Sequence, residues 1–268
     1  MHPSVRAAFS GYLIRHEGYT TFMYADKYNL VHTGIGNLID LSERDSLTVD
    51  EQVMAPAFKL PWRLKGEGWT TKNDVCGRVA TVDEVRGEWK RVKLDPINGK
   101  SPLKGWAYAA VTTLALDLNA VQRLFDETLS RFENVLKKRF PNWETWPADA
   151  QIATLDLAWS LGPNFKLPGF EDAAARDVFR GMGIASFSPK GGGTPSARSG
   201  RNLRNLTYFN AAAVVVAANG DRSQLSAVQF PSNGPRPANS GITETGLSTH
   251  AKVGVGLGVA ALAYWLFG

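Results

Sequence analysis

Between Leu114 and Leu136 the apolar residues Leu114, Leu118, Val121, Phe125, Leu129, Phe132 and Leu136 advance by steps of three or four. That spacing is one stripe of a long α-helix, and a stripe sustained over so many turns must be covered by other elements. The chain therefore has to build a helical core, and its 268 residues, 44% of them hydrophobic, suffice for one large domain or two modest ones. Other stretches carry the same signature. Val5, Phe9, Tyr12, Leu13 and His16 predict an opening helix stopped by Gly18. Thr81 with Glu84 has the spacing of a capping box at the start of another. Pro147 followed by Gln151, Ile152, Leu155 and Ala158 predicts a core helix that ends at Gly162-Pro163. A short helix is expected over Glu171–Phe179 and a helix rich in alanine and valine over Asn202–Ala218.

The helical pattern breaks between Phe22 and Leu38. Tyr24, Tyr28, Leu30, Val31 and Thr33 are strand formers, and Asp26, Lys27, Gly34 and Gly36 are turn residues, which predicts a small irregular sheet. Trp62, Trp69, Trp89 and Trp106 punctuate the stretch 41–142, with core packing the default role and stacking on sugar faces the alternative. Residues 187–200 are rich in Gly, Ser and Pro and carry Lys190 and Arg198, the composition of a basic loop. Residues 231–249 hold prolines and glycines but few large apolar groups and read as a linker. Beyond it, Val253–Gly268 is sixteen residues without a charge.

Thirty Lys and Arg against 25 Asp and Glu leave a net +5, suited to an anionic partner. The basic residues are scattered and match no nucleic-acid reading motif, so nucleic acid is not expected as a partner. The single cysteine, Cys76, excludes an intramolecular disulfide and a Cys-based zinc site, and no cofactor or metal is expected. Residues 1–10 lack the apolar run of a secretory signal.

The segment His16–Ile39, HEGYTTFMYADKYNLVHTGIGNLI, carries the chemistry. Glu17 closes the first helix, Asp26 lies nine positions later in a turn, and His32 lies six beyond that. Read singly, Glu17 is a helix cap, Asp26 an Asx-turn residue and His32 a satisfied polar group under the sheet. Read together, two carboxylates on different elements have the make-up needed to cleave a glycosidic bond: an acid for the leaving oxygen, and a base or nucleophile for the oxocarbenium-like carbon.

This segment resembles the active-site segment of phage-type lysozymes, the muramidases with the fold of T-even phage endolysins. Their pattern is a Glu-Gly at a helix end, then an Asp, a Thr and a Gly-x-Gly turn, matched here by Glu17-Gly18, Asp26 and Gly34-Ile35-Gly36. His32 stands where the family has threonine, with Thr33 one residue late. More loosely, Pro147–Trp159 resembles the family's buried helix and Ala197–Phe209 its late arginine-containing segment.

The resemblance implies an α+β, mainly α fold, two-lobed and lysozyme-like, with a small β-sheet at the active-site cleft and a catalytic body over 1–230 in which 41–142 is an inserted region. Composition adds the flexible linker 231–249 and, over 250–268, a C-terminal hydrophobic helix expected as a membrane anchor or assembly helix. Glu17 is expected as general acid, its carboxyl raised by partial desolvation, and Asp26 as the ionised base toward water. A carboxyl separation of about 6.5–9.5 Å would mean inversion and about 5 Å retention. His32 orients the attacking water, acts as the base itself, or attacks the sugar. Thr33 and Gly34, with Arg198, Arg201 and Arg204, are candidate substrate contacts. The implied activity is hydrolysis of the β-1,4 bond between N-acetylmuramic acid and N-acetylglucosamine in peptidoglycan, in host lysis or in wall penetration at infection. The alternative is a structural virion or membrane protein whose lysozyme-like domain is inactive. The tail 253–268, with Gly254 and Gly258 spaced for close helix packing and Tyr264-Trp265 suited to an interface, adds expected membrane, virion or homo-oligomer contacts. The expected location is the virion or the host membrane and periplasm.

Overall fold

The structure, a computed structural model, describes residues 1–26, 28–70, 76–94, 105–186 and 200–226. Arg198, the Trp106 side chain, most of the 187–200 loop, the linker and the apolar tail lie outside the described residues. Among the described residues there are eight α-helices and two three-stranded antiparallel sheets, so the chain is mainly helical with small sheets. No helix among them is long and apolar enough to cross a membrane. They divide into two compact units, Tyr12–Thr128 on the one hand and Met1–Gly11 with the residues from Leu129 onward on the other. Helix α1 (Pro3–Glu17) and helix α4 (Leu118–Arg139) contribute residues to both.

In the unit Tyr12–Thr128, α1 ends where expected, with Gly18 taking φ 72° and donating to the Ile14 carbonyl. A glycine is favoured at such a left-handed helix stop. Strands β1 (Thr20–Ala25), β2 (Val31–Gly34) and β3 (Asn37–Leu38) form a meander in that order. The β1–β2 register pairs Tyr24 with His32 and Ala25 with Val31 across the turn 26–30. Helix α2 (Glu51–Phe58) leads to β4 (Arg63–Lys65) and β5 (Cys76–Val79), and α3 (Val82–Leu94) follows. The capping box at its start forms: the Thr81 amide donates to Glu84 Oε2 at 2.7 Å and the Glu84 amide to Thr81 Oγ1 at 3.2 Å. The described residues of 41–128 lie in the same compact unit as the first sheet.

The long helix begins later than its periodicity suggests. Leu114 and Ala115 form β6, paired with Leu64 and Arg63 at one edge of the second sheet, and α4 starts only at Leu118. The buried Glu88 of α3 takes the amides of Thr113 and Leu114, and Asp117 receives the Ala120 amide at 2.7 Å to cap α4. Trp62 and Trp89 are core residues, each donating its indole N–H to a backbone carbonyl, Ala57 and Ile39. Trp69 is half-buried, with Lys65 Nζ 3.9 Å from its ring centre and Phe22 edge-on to it. Burial, helped by the charge of Arg91, pulls the Lys65 ammonium down to about 8.

The other unit is built around α5 (Ala148–Leu161), whose residues 148–158 are all buried. Gly162 ends it at φ 83°. Helix α8 (Gly200–Ala217) packs along it, and Asn205, Tyr208, Phe209 and Ala212 of α8 are buried. The single helix expected over 171–179 is instead two, α6 (Phe170–Ala175) and α7 (Phe179–Ala185), because Asp177 takes φ 52°. Its carboxylate accepts the Trp146 indole N–H at 2.8 Å, which holds the break in place. Segment 221–226 is fastened to the start of α5: Ala148 N donates to the Arg222 carbonyl and Ser226 N faces the Asp149 carboxylate.

Candidate active site

Five of the sequence-predicted site residues, Glu17, Asp26, His32, Thr33 and Gly34, fall in the unit Tyr12–Thr128. Glu17 is the last residue of α1 and half-buried. Asp26 follows the last residue of β1 and opens the turn to β2. Its Oδ1 accepts the amides of Tyr28 and Leu30, both at 2.9 Å, and its own amide donates to the Leu30 carbonyl. Asn29 completes the turn at φ 58°, a left-handed conformation that asparagine tolerates better than most residues.

That geometry leaves Oδ2 for another partner, and β2 supplies it. His32 Nε2 stands 3.4 Å from Asp26 Oδ2, and His32 Nδ1 is 3.3 Å from the Gly36 carbonyl oxygen. The Gly36 carbonyl and the Asp26 carboxylate can both only accept, so each ring nitrogen faces an acceptor and only the imidazolium has a hydrogen for each of them. The Asp26 side chain is 28% exposed and that of His32 16%, with His32 Nε2 itself buried, so solvent reaches the pair from the carboxylate side. Burial by itself pushes the Asp26 carboxyl up, yet the His32 contact and the Leu30 and Tyr28 amides outweigh it and hold the group below the ordinary carboxylate range. Asp26 is thus an anion near neutral pH.

The Asx turn is formed by Oδ1, and Oδ2 is the oxygen that faces His32. Tyr24 is a residue that the sequence reading named only as a strand former. Its ring stacks on His32 at 5.6 Å and 23°, and burial first, the Asp26 charge second, push its phenol up. The signal was present: a turn centred on residue 28 makes 24 and 32 cross-strand neighbours.

Thr33 is fully buried and its hydroxyl donates to the Phe22 carbonyl at 3.1 Å, tying β2 to β1. Gly34 has φ 64°, and a Cβ there would meet Asn37 Oδ1 at 2.7 Å. Both residues shape the sheet that carries His32. Arg201 and Arg204 belong to the other unit, where Arg201 Nε lies 3.4 Å from the fully buried Asp156 carboxylate. Among the described residues no group of three or more His, Cys, Asp or Glu is placed to hold a metal ion. No family model, curated protein or solved structure matches the chain.

Proposed function

We propose that this chain is a peptidoglycan-degrading muramidase of the phage lysozyme type, with the two-lobed fold of that family, hydrolysing the β-1,4 bond between N-acetylmuramic acid and N-acetylglucosamine. The observation that carries the reading is the Asp26–His32 pair: an anionic carboxylate nine residues after a helix that ends in Glu17, and an imidazole 3.4 Å from it on the next strand. Glycoside hydrolysis needs a proton for the leaving oxygen and a base for the incoming water.

In this reading Glu17 is the acid. Its proton passes to the leaving O4 as the C1–O4 bond breaks, and water adds to C1 from the opposite face. The water's proton goes to the Asp26 carboxylate, whose Oδ1 is held by the Tyr28 and Leu30 amides and whose Oδ2 faces His32, with the Tyr24 ring stacked on the imidazole. Asp26 then returns its proton to solvent and Glu17 is reprotonated. Addition of water opposite the departing group inverts C1, so the new reducing end is the α-anomer. The wall is the substrate, met from a virion or at the host membrane.

The test is muropeptide release from purified peptidoglycan. Glu17→Gln, which keeps the shape and removes the proton, is expected to lower the rate by about 10²–10⁴. Native protein that releases nothing would favour the inactive, structural role; a Glu17→Gln variant at full rate would overturn the assignment of the acid.

A further inference from the structure

We propose that Lys93, on α3, is a positioning residue for Asp26: its ammonium, through Asn29 and Asp40, clamps the two peptide groups that hold the Asp26 turn. The proposal rests on the reading in which Asp26 serves the reaction.

Lys93 is 1% exposed. Its Nζ donates to the Asn29 carbonyl at 2.7 Å, to Asp40 Oδ2 at 2.7 Å and to Ser42 Oγ at 2.8 Å, which uses all three ammonium hydrogens. Asp40, fully buried, also accepts the Val31 amide on Oδ2 at 3.1 Å and the Ser42 amide on Oδ1 at 2.8 Å.

The two peptide planes around Leu30 lie between this pair and Asp26. In a planar trans peptide the carbonyl and the N–H point in opposite directions, so fixing one end aims the other. The peptide joining Asn29 to Leu30 is held by Lys93 at its carbonyl and delivers the Leu30 N–H to Asp26 Oδ1. The peptide joining Leu30 to Val31 is held by Asp40 at its N–H and presents the Leu30 carbonyl to the Asp26 amide. Asp26 is gripped at its side chain and its backbone by groups whose far ends are fixed by one buried ion pair. Without the ammonium, Asn29 has less reason to keep φ 58°, and the Leu30 amide swings away from Oδ1. Oδ2 then loses its bearing on His32.

A buried lysine used in this way explains what α3 contributes to the region that the sequence left without a role. The charge is not needed to build a core, where an apolar side chain of similar length would serve as well or better.

The experiment compares Lys93→Met, and Lys93→Met combined with Asp40→Asn, with the native chain. The double variant removes both buried charges, so it folds even if an unpaired Asp40 prevents the single variant from doing so. The primary readout is the carboxyl titration of Asp26, followed by carbon NMR, with Tyr24 on β1 and His32 on β2 as the titratable groups that face it. The expected result is an Asp26 midpoint raised by about one pH unit, with faster exchange of the Leu30 amide. Muropeptide release is expected to fall at least tenfold, and its acid limb to move with the midpoint. A folded double variant with the native Asp26 midpoint and native Leu30 protection overturns the proposal. Native protein that releases no muropeptides refutes the muramidase reading instead, and the titration still decides whether Lys93 holds Asp26.

Discussion

Asp149 offers a quantitative test of how the α5 unit is held together. It lies in the first turn of α5, where the helix dipole favours a carboxylate, but it is fully buried and burial dominates. Its carboxyl is pushed from 3.8 up to about 6, with the Ser226 amide, 3.3 Å from Oδ2, too poorly placed to offset the loss of water. A group whose folded value lies above its unfolded value binds its proton more tightly in the native state. Stability from this residue is therefore complete below about pH 4, is lost as the pH rises to 6, and stays lost above it. A rise of about two units corresponds to at most about 3 kcal/mol. Asp149→Asn keeps an oxygen for the Ser226 amide and carries no charge at any pH. Its stability relative to the native chain is expected to grow between pH 4 and 6 and level off about 2 kcal/mol higher, which for a chain of this size is about 4–8 °C in Tm. Urea denaturation at half-unit steps from pH 4 to 8 measures that difference directly, and other titrating groups cancel in it. A difference that does not vary with pH, or an asparagine variant that is the less stable at pH 8, would refute the reasoning.

Two further substitutions test other parts of the fold. Gly34→Ala forces φ 64° on a residue with a Cβ and drives it against Asn37 Oδ1, which already accepts the Ile35 amide while its amide nitrogen donates to Thr128. Strain and one lost hydrogen bond together cost about 2–3 kcal/mol, read as a lower urea midpoint with an unchanged slope. Arg139 donates to the carbonyls of Pro163 and Phe165 and to Glu171 while its guanidinium lies over Phe140 and Phe165. Arg139→Lys cannot span those acceptors with a planar fork and is expected to lose about 1–2 kcal/mol in the same measurement.

The elements that could be read in advance are those decided locally. Helix α1 stops at Gly18 and α5 lies between Pro147 and Gly162 because the terminating residues and the apolar spacing lie within the same few turns. The α3 capping box is likewise a matter of residues three apart. What escaped the reading is decided over distance. Leu114 fits the α4 stripe perfectly well, yet it pairs with Leu64, fifty residues earlier, and a strand of two residues has no periodicity of its own. Strand β4 is Arg-Leu-Lys, with no alternation to betray it. The site shows the same division. Glu17, Asp26 and His32 stand out as chemistry-bearing residues beside glycines and turn formers. Lys93 is one charged residue among several on α3, and only the folded chain shows that its ammonium ends up at Asn29.

The split use of Asp26 separates the shape of the loop from its charge. Oδ1 serves the turn and Oδ2 serves His32. An asparagine at this position would still offer one oxygen to the turn amides and would withdraw the anion from the imidazole. On the reading proposed above, a hydrolase and a silent wall-binding protein of the same fold then differ by one atom's identity. A lineage could cross that boundary in either direction while the scaffold around it stays as it is.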